Sequence, residues 1–264
     1  MKTTLSFLLC LMLALLAGCA PKGQPLLPQS EADSRWQAFA QRSAAPAENA
    51  VLSGSLRFGT DKSTQRLVYL MWADEGGYPD NCASAERRIR LDVGTSAGPV
   101  LGSLLFEGGR MLLVLPQERT AYTGEASKRN LRRMLGLPLP FDMQGLHAFL
   151  AGDILAALDA PLPERYEIEN DGNIIYRWRK GVALCELELS PQALPVRWTS
   201  SDGWDMEITC GSDGLPVKLS GRMDSGEDVL RLILLVKERR PVSLMQAPSL
   251  SLTVPAGFDV RSID

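Results

Sequence analysis

Leu52-Ser53-Gly54-Ser55-Leu56-Arg57-Phe58-Gly59, then Thr60-Asp61-Lys62-Ser63, then Gln65-Arg66-Leu67-Val68-Tyr69-Leu70-Met71-Trp72-Ala73 is the stretch that decides the fold. Leu56 and Phe58 alternate with Ser55 and Arg57, the period of a half-buried strand, and Gln65 to Ala73 is rich in strand formers. Gly59 to Ser63 is a turn between them, so the two runs read as a β-hairpin. Arg66 to Trp72 is apolar on both parities, as in a strand covered on both faces, and something must therefore pack on each side of it.

Downstream the same pattern continues. Arg88 to Val93, Val100 to Glu107 and Met111 to Leu115 are strands separated by Gly94-Thr95-Ser96-Ala97-Gly98-Pro99 and Gly108-Gly109, giving an antiparallel meander. The period then changes: Leu131, Met134 and Leu135 share a helical face, and Asp142 is placed to cap a second helix carrying Leu146, Phe149 and Leu150 before Gly152. From Tyr166 strands resume, at Asn173 to Lys180, Val182 to Leu189, Val196 to Thr199, Trp204 to Cys210, Val217 to Met223, Val229 to Lys237 and Leu250 to Val254. Asp-Gly, Lys-Gly and Ser-Gly pairs mark hairpins between them. Strands, then helices, then strands predict an α+β fold: a large curved antiparallel sheet with helices covering one face. No repeated unit of fixed period is present.

Upstream of the hairpin, Trp36, Phe39, Ala40 and Ser43 recur at helical spacing in a predicted amphipathic helix over Glu31 to Ser43, with Pro46 beyond it as a stop. The chain opens with Met1-Lys2 and an apolar run from Leu5 to Leu16, ending in Leu16-Ala17-Gly18-Cys19, the arrangement of a lipoprotein signal peptide with its lipobox. The run is far shorter than the about 20 residues a spanning helix needs, so it is expected to be removed. The expected organisation is a leader over residues 1–18, a lipidated tether over 19–30 beginning at Cys19, and one domain over 31–264. Several acyl chains on Cys19, palmitate among them, would form a stable anchor at about 0.8 kcal/mol per buried CH2. Ala20 in place of Asp implies, by the sorting rule known for enteric lipoproteins, release toward the outer membrane, with the domain facing the periplasm.

Lys and Arg number 28 against 31 Asp and Glu, and the sequence pI is about 5.4, which advertises no basic face for nucleic acid. Cys10 leaves with the leader and Cys19 carries lipid, leaving Cys82, Cys185 and Cys210 in an oxidising compartment. Cys185 and Cys210 alternate with core-type residues, so a bridge between them is open, whereas Cys82 lies in a Gly-Tyr-Pro-Asp-Asn loop. There is no CxxC pair or Cys/His cluster and a single histidine, so no metal and no cofactor are assigned.

Two further patterns bear on catalysis. Gly94-Thr95-Ser96-Ala97-Gly98 spells the G-x-S-x-G elbow of serine hydrolases, but an elbow opens a helix, whereas Pro99 to Glu107 reads as strand. His147 sits beside Gln144 and Ala151, away from Leu146, Phe149 and Leu150, and is expected to be solvated. Glu167 with Glu169, and Glu186 with Glu188, share strand faces beside Arg177, Arg179 and Lys180, and read as an outer solvated face rather than as acid/base pairs. The chain is expected not to be an enzyme.

The order of elements resembles the LolB family, outer-membrane lipoproteins that receive other lipoproteins from the periplasmic carrier LolA and insert them into the outer membrane. The resembling features are the Trp-bearing N-terminal helix, Leu56-Arg57-Phe58-Gly59, the loop Val100-Leu101-Gly102-Ser103, and Leu135-Gly136-Leu137-Pro138-Leu139-Pro140 before the second helix. Gly214-Leu215-Pro216-Val217-Lys218 and Val254-Pro255-Ala256-Gly257-Phe258 resemble the wider LolA/LolB superfamily, and the region Tyr166 to Leu189 adds a hairpin. The resemblance implies an unclosed antiparallel β-barrel with helices as a lid over an apolar cavity for lipoprotein acyl chains, and a LolA-like carrier as partner. It makes Leu101, widened by Pro99 and Val100, a projecting loop that enters the membrane; the competing reading of Leu101 is the first inward residue of its strand. Phe58, Tyr69, Trp72, Trp178, Trp204 and Met206 are candidates to line the concave face, as cavity wall or as plain core. The rival function is that of a structural envelope lipoprotein binding a protein partner through the convex sheet.

Overall fold

A computed structural model describes residues 29–43, 50–74, 88–96, 98–135, 139–224, 226, 228–241 and 250–264. The expected leader, Cys19 and Cys82 lie outside them. Among the described residues fourteen strands form one sheet. They are β1 (Ala50–Gly59), β2 (Thr64–Asp74), β3 (Arg88–Gly94), β4 (Val100–Glu107), β5 (Arg110–Leu115), β6 (Thr120–Glu125), β7 (Arg165–Ile168), β8 (Ile174–Arg177), β9 (Leu184–Leu189), β10 (Pro195–Ser200), β11 (Trp204–Cys210), β12 (Pro216–Asp224), β13 (Val229–Pro241) and β14 (Asp259–Ser262). Across the sheet the order is β14-β6-β5-β4-β3-β2-β1-β13-β12-β11-β10-β9-β8-β7. Every described pairing is antiparallel except β14 beside β6. The sheet is curved and not closed, with β14 and β7 as its edges.

Two meanders make this sheet, and a single long-range pairing joins them. β1 runs against β13 from Ala50 opposite Pro241 to Gly59 opposite Arg231. Because alternate turns of a meander fall at the same edge of the strands, the β1–β2, β3–β4 and β5–β6 turns share one rim. The β7–β8, β9–β10 and β11–β12 turns share the other.

α1 (Gln29–Ser43) lies at that second rim. Arg35 Nη1 donates to the carbonyl of Gly172 at 2.6 Å, and Arg42 Nη1 to that of Ala193 at 2.6 Å, fastening the helix to two turns. Its apolar stripe meets the concave face: the Trp36 ring is 5.1 Å from Tyr176, 5.9 Å from Trp178 and 5.6 Å from Phe39. Tyr176 also donates its hydroxyl to the Ala32 carbonyl at 2.7 Å, so a buried polar end is satisfied by the helix backbone.

Three helices are inserted between β6 and β7: α2 (Lys128–Leu135), α3 (Met143–Ala151) and α4 (Ile154–Leu158). Asp142 accepts from the Gly145 amide at 2.7 Å, and Gly152 ends α3 with a φ of 99°, a left-handed conformation that suits glycine. Phe141, just before this cap, packs between Phe149 and Trp198 with ring distances of 5.2 and 5.7 Å.

The structure corrects several sequence expectations. β6 and α4 had no expected counterpart: Ala121 and Gly124 make β6 look like a turn, and α4 is a single short helix between Asp153 and Asp159. Leu250 to Val254 forms no strand; it crosses the convex face, where the Ser251 carbonyl accepts from Arg90 Nη1 at 2.7 Å. The terminal strand is instead β14, paired in parallel with β6. His147 is buried at 5% exposure, for the whole of α3 from Gly145 to Leu150 is covered rather than one side of it. Cys185 and Cys210 are both free thiols, with β10 between their strands. Burial pushes both thiol pKa values up, so neither is an activated nucleophile.

Candidate functional site

A cavity of about 390 Å3 lies between the first meander and the α2–α3 lid. Its floor is the core-facing parity of adjacent strands: Leu56 and Phe58 of β1, Leu67 and Tyr69 of β2, Leu91 and Val93 of β3, Leu104 of β4, Leu113 and Leu115 of β5, with Leu234 of β13. Met134 and Leu135 of α2, Leu139, and Leu146 and Leu150 of α3 form the roof. The wall is therefore overwhelmingly aliphatic. Its polar side chains, Gln65, Gln117 and Glu118, are all exposed and cluster at the rim of the β1–β2 and β5–β6 turns, which is where the cavity opens. A space of this volume falls in the range of small-molecule and lipid-chain sites.

Tyr69 is the polar group inside the wall, and its hydroxyl is spent on the protein, donating to the Leu235 carbonyl at 3.1 Å. Burial raises its pKa well above the ordinary tyrosine value, with Arg239 opposing, so it stays a neutral donor. To reach Leu235 the ring crosses β1 at Gly54, where a Cβ would stand 2.6 Å from the Tyr69 hydroxyl and 1.9 Å from the Leu235 oxygen. Gly54 is thus required by close approach. Arg239 locks the roof: its Nε donates to the Leu150 carbonyl at 3.0 Å near the end of α3, and its Nη2 donates to the Pro216 carbonyl. A cation at a helix C-terminus is favourably placed.

Of the six aromatic and Met candidates, Phe58 and Tyr69 line the cavity. Trp178, Trp204 and Met206 are buried core of the second meander and do not line it; Trp178 Nε1 donates to the Pro161 carbonyl at 2.9 Å, and Met206 packs over Gly221. Trp72 is 3% exposed but belongs to the convex face, since Tyr69, Met71 and Ala73 take the core parity and the Arg90 guanidinium lies 5.2 Å over its ring. Leu101 is the extra residue of a β-bulge: Val93 pairs with Gly102 and Gly94 with Val100. It is half-buried and lines the cavity mouth, while Pro99 and Val100 are exposed, Val100 at 45%. The aliphatic floor, the Met134 and Leu135 roof and the polar trio at the rim were not singled out by sequence; strand parity and the α2 face are the signals that point to them.

Elsewhere the chemistry is that of a stable surface. G-x-S-x-G is a hairpin turn, in which the Gly98 amide donates to the Thr95 carbonyl at 3.4 Å and β4 follows. On the convex face Arg177 pairs with Glu167 and, at 2.8 Å, with Glu186, while Asp205 lies between Arg197 at 2.6 Å and Arg222 at 3.1 Å. Hydrogen bonding and charge from Arg197, with Arg222, hold the Asp205 carboxyl below its ordinary value. Among the described residues no group of three or more His, Cys, Asp or Glu could hold a metal, and no helix is long and apolar enough to cross a membrane.

No protein-family model and no curated protein matches the chain. Solved structures do. A LolA superfamily protein from Nitrosomonas europaea aligns at a TM-score of 0.50 and 14% identity, covering 81% of this chain and 94% of its own. A DUF1329 family protein from Desulfovibrio piger aligns at a TM-score of 0.50 and 10% identity, covering 81% of this chain and 92% of its own. At these identities the likeness is one of architecture alone, and by it the open curved sheet with its helices has the LolA/LolB-like fold.

Proposed function

We propose that this protein is a lipid-anchored envelope protein that holds lipoprotein acyl chains in the cavity beneath α2 and α3 and helps to insert them into the outer membrane. The observation that carries the reading is the aliphatic cavity, open at one rim, with exposed polar side chains at its mouth and the Tyr69 hydroxyl within spent on the Leu235 carbonyl. Each CH2 withdrawn from water there gains about 0.8 kcal/mol. Such a wall favours an acyl chain inside and leaves its polar head at Gln65, Gln117 and Glu118. Cys19 would carry the anchor, and the partner that delivers cargo would be a LolA-like periplasmic carrier. No chemical step is asked of the protein, whose role is binding and release.

Mass spectrometry of the purified full chain and of what copurifies with it tests the proposal. Acylated species are expected in the cavity, and a diacylglyceryl group on Cys19. Val93→Trp, which builds into the cavity from β3, should lower copurifying acyl material and uptake of an apolar fluorescent probe several-fold. Absence of acyl species, together with probe uptake that Val93→Trp leaves unchanged, would overturn the cavity as a lipid site. An unmodified Cys19 would remove the anchor alone.

A further inference from the structure

α2 reads Lys128-Arg129-Asn130-Leu131-Arg132-Arg133-Met134-Leu135 and contains no acidic residue. Its faces are sharply divided. Leu131 is buried and Met134 and Leu135 roof the cavity, whereas Lys128, Arg129, Arg132 and Arg133 are exposed. Most arginines elsewhere on the surface have carboxylate partners, as Arg88, Arg177, Arg197, Arg222 and Arg231 show. None of the α2 cations has one among the described residues: Arg133 donates to the Ile263 carbonyl at 3.2 Å, and the Asp264 carboxylate beside the helix is turned to Asn130 at 3.4 Å and Arg110 at 3.8 Å. Lys128 and Arg129 moreover occupy the first turn, where positive charge opposes the helix dipole. Arg132 and Arg133, in the last turn, suit the dipole, but all four cations are left unneutralised in a chain of formal net charge -3, and such a face calls for an external anion.

We infer that the outer face of α2 is a docking surface for the anionic phosphate headgroups of a bilayer, so that the cavity's own roof is the part laid against the membrane. Two observations favour a bilayer over an acidic protein. Four cations and no acidic residue within eight residues of helix make a polybasic cluster of the kind that binds anionic headgroups by charge alone. The exposed Val100 leaves an apolar side chain in water next to Leu101, which lines the cavity that α2 roofs. The inference does not depend on what the cavity holds.

The test is partition of the full chain between vesicles of phosphatidylcholine alone and vesicles of phosphatidylcholine mixed with phosphatidylglycerol. Any contribution of leader or acyl anchor is common to both, so the ratio isolates the headgroup charge. Each surface Lys or Arg is expected to contribute roughly fivefold near an anionic leaflet, giving a preference of at least about tenfold that falls toward parity in high salt. Replacing Lys128, Arg129, Arg132 and Arg133 together by Gln should abolish the preference while apolar-probe uptake and thermal unfolding persist. Should that variant fold poorly, replacing the three arginines by Lys must keep the preference. Arg57→Gln with Arg66→Gln, removing an exposed cationic pair of the first hairpin, must keep it too. Equal partition of the unmodified chain, a preference surviving the fourfold replacement, or equal loss in the hairpin control would each overturn the inference. Loss of probe uptake by Val93→Trp bears on the cavity and leaves the vesicle ratio unchanged, so the two readings fail separately.

Discussion

Leu101 owes its position to one extra residue in β4, which turns it to the cavity mouth between a concave Gly102 and an exposed Val100. Leu101→Glu is therefore expected to cost less than about 1 kcal/mol of stability, since the site is half-open to water. Probe uptake should persist while transfer of a bound lipoprotein to liposomes falls. Urea unfolding alongside a transfer assay checks this; normal delivery would remove Leu101 from the mechanism. Tyr176 yields a second expectation. Burial pushes its pKa up to about 12, so the folded state keeps the phenolic proton longer than the unfolded chain does. The stability linked to that proton is complete below the unfolded value of about 10 and is lost as pH rises through the folded value. Urea midpoints measured through that alkaline window should fall, and less so in Tyr176→Phe. At this scale the sequence was half legible. Phe58 and Tyr69 could be picked as large residues of the right strands, but a run apolar on both parities does not say which face is concave, and Trp72 took the other. Aliphatic liners such as Leu91 and Leu113 carry no mark that separates wall from core.

Among the elements, α3 was the most legible, because its start and stop are written in local chemistry. Asp142→Ala removes the acceptor for the Gly145 amide and should cost about 1 kcal/mol, read as a lowered denaturation midpoint. His147 shows the limit of the same local pattern: a helical wheel gives the side away from Leu146 and Phe149, not whether the rest of the fold covers that side as well. β14 lay further beyond reach. Its partner β6 is far away in sequence and parallel to it, and neither turn chemistry nor periodicity encodes such a pairing. Leu250 to Val254 has the composition of a strand and serves instead as cover for the convex face around Arg90 and Trp72. α1, by contrast, was given by its Trp36 and Phe39 spacing, while the arginines that fasten it to distant turns carry no sequence signal of that role.

Over the whole molecule, the convex face of the second meander is neutralised by its own ion pairs, and Asp205 between two arginines is the clearest instance. Such a face offers little to a charged partner, which weighs against recognition through the convex sheet. The two halves of the concave face are also unlike. Beneath α2 and α3 the first meander encloses space; beneath α1 the second is filled by Trp36, Tyr176 and Trp178. One half is a receptacle and the other a brace, and the sheet runs from one into the other where β1 meets β13. Occupancy should then leave a lopsided trace in amide hydrogen exchange. Filling the receptacle withholds its opened forms, slowing exchange in β1 to β5 and in α2, while β7 to β12 exchange at the same rate loaded or empty. Uniform slowing across both halves would mean that the brace, too, closes on the cargo.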